Sequence, residues 1–176
     1  MAIGRWKSVC INVTDLQRGC EFWAEVLGWT TTGRDWHGWL GYLTDPNSDN
    51  YMILNVTSRA PVRLAEPTHH EANRVHIDIW PNDGMDNAVR DILAIGGRVK
   101  KPPSLYPRPG SYGDEPPRID WAVMQDPFGN EFCIVEELTT EQRDAAMGST
   151  ATDDQALRLA SGVSSLDPPP WANPTS

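Results

Sequence analysis

Between Arg74 and Trp80 the chain reads RVHIDIW, where apolar and polar side chains alternate from Val75 onward. A strand turns successive side chains to opposite faces, so Val75, Ile77 and Ile79 share one face and His76, Asp78 and Trp80 the other. The same alternation runs through SVCINV at 8–13, with Val9, Ile11 and Val13 on the apolar side and Ser8, Cys10 and Asn12 opposite. Each stretch is followed by helical spacing. In DLQRGCEFWAEVLG, Leu16, Cys20, Trp23 and Leu27 recur every three to four residues; Thr14 or Asp15 can cap the start and Gly28 can end it. In GMDNAVRDILAIGG, Met85, Ala88, Val89, Ile92 and Leu93 form the apolar face and Gly96 terminates it. Asp15 to Gly28 and Asp83 to Gly96 have the same spacing, and so do Ser8 to Asp15 and His76 to Asp83. This is an internal duplication at constant offset, with Ser8 matching His76.

Short strands complete each copy. GWLGYLT (38–44) and YMILNV (51–56) flank the turn DPNSDN, while DWAVMQ (120–125) and EFCIVEE (131–137) flank DPFGN. In Asp-Pro-x-Gly-Asn, proline presets one turn position and glycine supplies the left-handed one, which suits a tight hairpin. Each unit therefore reads strand, helix, strand, strand, strand. The second copy carries KKPPSLYPRPGSYGDEPPR (100–118), whose prolines and glycines predict an irregular loop and a possible lid over 101–118. Beyond Glu137, Thr139 with Gln142 and Thr152 with Gln155 predict capping boxes opening short helices, closed by Gly148 and Gly162. The ending SSLDPPPWANPTS predicts an extended or disordered tail, with Trp171 frayed rather than docked.

Composition narrows the class. A chain of 176 residues holds one domain or two, and 39% hydrophobic residues with 15 prolines predict a globular part carrying extended segments. A net charge of −9 with no basic run excludes non-specific nucleic-acid binding. No apolar run is long enough to span a membrane and no signal-peptide pattern opens the chain, so the expectation is a cytoplasmic protein without a membrane partner. Cys10, Cys20 and Cys133 form no CxxC pair, consistent with reduced thiols, and Cys20 belongs to a buried helix face. Eight tryptophans are many for this length and could wall a pocket for flat ligands.

Two in-register βαβββ copies, carrying VTDLQRGCEFWAEVLGW, RVHIDI and DPFGNEFCIVE, resemble the vicinal oxygen chelate superfamily. That superfamily includes glyoxalase I, extradiol dioxygenases and bleomycin-resistance proteins, and the likeness is greatest to its bacterial glyoxalase-like domain group. The resemblance implies an α+β fold in which two modules, 5–60 and 73–138, curl a mixed sheet into a cup with helices on the convex face. Residues 1–138 would form this domain and 139–176 a helical and proline-rich extension. His76, Asp78 and Trp80 would then face the cavity with Ser8, Cys10 and Asn12, and with Glu131, Cys133 and Val135 from the last strand.

Metal-using members of the superfamily place ligands at the positions of Ser8, Ile53 (or Met52), His76 and Cys133. A hydroxyl and an aliphatic side chain remove two of those four, so no metal and no cofactor are expected. The resulting expectation is a metal-independent protein that binds an aromatic or drug-like small molecule. Its ligand-binding residues would be Trp6, Ser8, Cys10, Asn12, Trp39 and Ile53, with His76, Asp78, Trp80, Glu131 and Cys133. Asp78 and Glu131 would suit a cationic ligand. The alternative is a metal-free lyase or isomerase with His76 as general acid or base and Asp78 as its partner; a metal-dependent glyoxalase or dioxygenase ranks behind both. His69, His70 and His37 are expected in linker or rim segments. Exposed sheet edges predict a homodimer.

Overall fold

The structure is a computed structural model, and it describes residues 7–34, 38–57, 76–111 and 115–172. Trp6, Val75, the segment with His37 and the linker with His69 and His70 lie outside the described residues. The chain divides into two compact units: Met1–Ala72 with Asp126–Asn130, and Asn73–Gln125 with Glu131–Ser176.

In the first unit β1 (Val9–Val13) leads into α1 (Leu16–Leu27), then β2 (Thr30–Arg34), β3 (Leu40–Thr44) and β4 (Tyr51–Val56). The sheet runs β1-β4-β3-β2, parallel between β1 and β4 and antiparallel elsewhere. Strand alternation holds: Ile11, Val13, Leu43, Met52 and Leu54 are buried, and Cys10 and Asn12 are exposed. Helix α1 buries Leu16, Gly19, Cys20, Phe22 and Trp23; Asp15 caps it by accepting from the Arg18 amide, and Gly28 closes it at φ 65°. A Cβ on Gly19 would stand 3.0 Å from Val13 Cγ1 and 3.2 Å from Leu54 Cδ1, so the missing side chain lets the helix sit close on the sheet.

The DPFGN turn groups with this unit. Asp126, almost fully buried, accepts from the amides of Phe128 (2.9 Å) and Asn130 (2.8 Å), from Asn130 Nδ2 (2.7 Å) and from the Trp23 indole (3.2 Å). Burial raises its pKa, and those four bonds oppose the rise.

The second unit repeats the plan. Its elements are β5 (Asp78–Ile79), α2 (Met85–Ala94), β6 (Arg98–Tyr106), β7 (Ile119–Gln125) and β8 (Glu131–Glu137), with sheet order β5-β8-β7-β6. The duplicated topology matches the α+β architecture that the duplication predicts. The strand expected over 75–80 is laddered only at Asp78 and Ile79, although the Cys133 amide also bonds the Ile77 carbonyl at 2.8 Å. Glu136 reaches from β8 to accept the Met85 amide at 2.8 Å, serving as the cap that Gly84 cannot provide.

Two expectations are corrected here. The loop expected over 100–118 is a strand as far as Tyr106, paired with β7 and broken in register between Val99 and Lys101 and between Lys101 and Ser104. Edge strands tolerate proline because one side of the backbone needs no partner, and β6 is an edge. A lid over 101–118 is therefore ruled out for its first six residues. The second helix of the extension, α4 (Asp154–Ala160), is capped by Asp153, which accepts the Ala156 amide at 2.8 Å, and not by Thr152.

The expected capping box of α3 (Thr140–Met147) is present in both directions, Gln142 amide to Thr139 and Thr139 amide to Gln142. Leu138, Ala146 and Leu157 pack on Leu105 of β6, which fastens the extension to the second unit. Arg158 is fully buried there: its Nε and Nη2 reach Asp120 Oδ2 at 2.9 and 2.8 Å, and Nη2 reaches Asp86 at 2.7 Å. Trp171 is docked and not frayed as expected, its ring centroid 5.3 Å from the Arg158 guanidinium carbon, because a buried cation offers the indole face a partner.

Candidate functional site

The open face of the first sheet carries the side chains that the period of two assigns to it. Cys10 pairs with Ile53 and Asn12 with Asn55 across β1 and β4, and Asn55 Nδ2 donates to Asn12 Oδ1 at 2.9 Å. Ser8 is half-buried just before β1. Ile53 and not Met52 belongs to this face, since Met52 is buried on the helix side. Trp39 precedes β3 and is largely exposed. This module offers hydroxyl, thiol and amide groups but no charged donor at the expected site positions.

The second sheet is richer. Asp78 and Cys133 are direct neighbours in the parallel β5–β8 ladder, and His76 folds toward them. One donor atom each from His76, Asp78 and Cys133 lies within 4.8 Å of the others. His76 Nε2 stands 3.2 Å from Asp78 Oδ1, both side chains remaining open to solvent. Strand geometry separates such residues by about 7 Å along the backbone, so the side chains themselves close the gap. The Cys133 thiol is buried, and that burial pushes its pKa up to about 11, helped by the carboxylates of Asp78 and Glu131. It is a neutral thiol at neutral pH, not a nucleophile.

Side chains outside the expected set share this face. The register break in β6 sets Val99 against buried Met124 and Lys101 against Val123, leaving Lys100 as the extra residue. Lys100 forms an ion pair with Glu131 of β8. Lys101 Nζ lies 3.3 Å from the centroid of the Trp121 ring and donates to Ser104 Oγ at 2.7 Å. Tyr106 meets Trp121 edge to face, with centroids 6.4 Å apart. Burial lowers the Lys101 pKa, against the pull of Asp154, Cys133 and Asp120. The signal for Trp121 was available: alternation in DWAVMQ sets Trp121, Val123 and Gln125 opposite buried Asp120, Ala122 and Met124. The lysines were hidden because their segment reads as a loop.

Trp80 follows the end of the β5 ladder, is 75% exposed, and lines a pocket of about 370 Å³ with Pro81, Glu136 and Glu137. His76, Asp78 and Cys133 do not line that pocket.

His76, Asp78 and Cys133 supply one nitrogen, one oxygen and one sulfur, while Ser8 and Ile53 supply no charged ligand. Octahedral ions such as Mg²⁺ or Mn²⁺ need more oxygen donors than this. A thiol held neutral beside two carboxylates is likewise a poor donor until deprotonated. The residues do not fit the octahedral group, and three donors, one of them a neutral thiol, also fall short of the four ligands of a closed tetrahedral zinc site.

The family model described as "Glyoxalase-like domain" matches residues 8–135. The chain belongs to the glyoxalase-like domain family. The family match ends before α3, so the extension lies beyond it. Solved structures similar to this glyoxalase-like chain include virulence protein STM3117 from Salmonella typhimurium, 20% identical, covering 78% of this chain and 100% of that one at TM-score 0.49. TioX from Micromonospora sp. ML1 is 17% identical over 76% of this chain and 100% of its own, with TM-score 0.49. A glyoxalase/bleomycin resistance protein from Albidiferax ferrireducens T118 is 16% identical over 76% and 98%, with TM-score 0.47. No functionally curated protein matches the sequence. Among the described residues no helix is long and apolar enough to cross a membrane.

Proposed function

We propose that this glyoxalase-like protein binds an aromatic, drug-like small molecule, without a resident metal ion, on the open face of its second sheet. One observation carries the reading: a half-buried indole, Trp121, is flanked by Tyr106 and overlain by Lys101 on the face that also holds the His76–Asp78 pair. Aromatic walls with a few convergent polar groups are the usual make-up of a small-molecule site. The open face of the first sheet, taken by itself, offers Ser8, Cys10, Asn12, Ile53 and Trp39 as a separate set of proposed ligand contacts. Three free cysteines fit a reducing compartment such as the cytoplasm, and a net charge of −9 fits a protein with no nucleic-acid partner. The test is a screen of small aromatic compounds on the full chain, read by thermal shift and tryptophan emission. Trp121→Ala should weaken any hit by about 1–3 kcal/mol. A screen without hits, or hits indifferent to Trp121→Ala, overturns the reading.

A second reading is favoured by the 3.2 Å contact between His76 and Asp78. It is a metal-free lyase or isomerase in which His76 moves the proton and Asp78 orients the ring. Under that reading His76→Ala abolishes turnover at unchanged affinity; under the first it weakens affinity and there is no turnover to lose.

A further inference from the structure

We propose that the ligand of the second sheet's open face is a planar aromatic anion, a carboxylate, held by Lys101 over Trp121; this rests on the binding reading above. The argument is one of charge. Asp78 and Glu131, which the sequence offered to a cationic ligand, already have partners: Asp78 faces His76 at 3.2 Å and Glu131 is paired with Lys100. A cationic ligand would have to displace a histidine from one or break an ion pair at the other. Lys101 is in the opposite position. Among the described residues no carboxylate lies within 4.0 Å of its ammonium, which bonds one hydroxyl, Ser104 Oγ, and one ring face. An ammonium has three donors, so at least one is left for a ligand.

The geometry also selects a flat ligand. Trp121 and Tyr106 meet at an interplanar angle of 80°, so a ring stacked on Tyr106 stands nearly perpendicular to the indole, whose face Lys101 covers. A carboxylate on that ring would give the ammonium the counter-charge that no described carboxylate supplies within 4.0 Å. The half-buried setting of Lys101 strengthens such a contact, since partial removal of water raises the worth of a charge-assisted hydrogen bond.

The experiment compares benzoate, 1-naphthoate and indole-3-acetate with their neutral amides, binding each to the full chain by calorimetry. The acids should bind at least tenfold more tightly than the amides. Lys101→Met, which keeps the stem and removes the charge, should abolish that preference, bringing acid and amide to within about twofold of each other. Lys101→Arg should keep it. Amides that bind as well as the acids, or a preference that survives in Lys101→Met, overturn the anionic ligand and leave the aromatic site standing. If neither acids nor amides bind at millimolar concentration, the aromatic site itself falls, and this inference with it.

Discussion

Replacing Arg158 by methionine should cost stability in a way that depends on pH. Arg158 has no solvent exposure and holds Asp120 by two bonds, with Asp86 and Gln155 as its other partners. Methionine keeps the stem and leaves two acids without their cation. Breaking a buried pair by removing one member typically costs about 3–5 kcal/mol. Asp120 decides how much is seen at each pH. Burial pushes its pKa up to about 6, with Arg158 opposing the rise and Glu136 and Asp86 adding to it.

An acid raised on folding binds its proton more tightly in the native state, so its contribution is present below the unfolded value and is lost as pH rises through the folded one. In the wild type that loss is therefore complete a little above pH 6. Without Arg158 the Asp120 pKa rises further, and the native variant holds its proton while the wild type has released it. The stability difference should then grow by about 1.4 kcal/mol per pH unit above pH 6 until the variant's own pKa is passed. We expect a loss of about 2 kcal/mol at pH 5 and about 4 kcal/mol or more at pH 8. Urea unfolding at both pH values, with unchanged m-values, measures it. Asp120→Asn in the same background should abolish the slope. Equal losses at the two pH values, or a loss below about 1 kcal/mol at pH 8, would refute the buried network as the fastening of the extension.

Asp126→Ala strips four hydrogen bonds from the DPFGN turn and the Trp23 indole and should cost about 2–4 kcal/mol by chemical denaturation; Asp126→Asn, which keeps an acceptor, should cost less. Elemental analysis should find no stoichiometric divalent ion, and about one zinc per chain that disappears in His76→Ala would contradict the metal-free proposal. Light scattering at micromolar concentration should return a homodimer, because β1, β2, β5 and β6 each leave a strand edge within their sheet; a monomer would remove that proposal.

The face that β1, β4 and β7 turn to solvent was legible in the sequence, because side chains alternate with a period of two along a regular strand. Ile11, Val13, Leu54 and Ile134 are buried where alternation puts them, and the repeated spacing of Asp15 to Gly28 and Asp83 to Gly96 foretold two modules of one topology. Cap chemistry was equally local, hence the Asp15 cap and the Thr139–Gln142 box. What depends on neighbours distant in the chain was not legible. Lys-Lys-Pro-Pro reads as a loop unless the sheet makes it an edge, where missing N–H groups cost nothing. Only strand register shows that Lys100 meets Glu131 while Lys101 lies over Trp121. Arg158 looks in sequence like one more exposed helix residue. Tertiary packing buries it between Asp86 and Asp120, because a guanidinium can leave water only where carboxylates far along the chain converge on it.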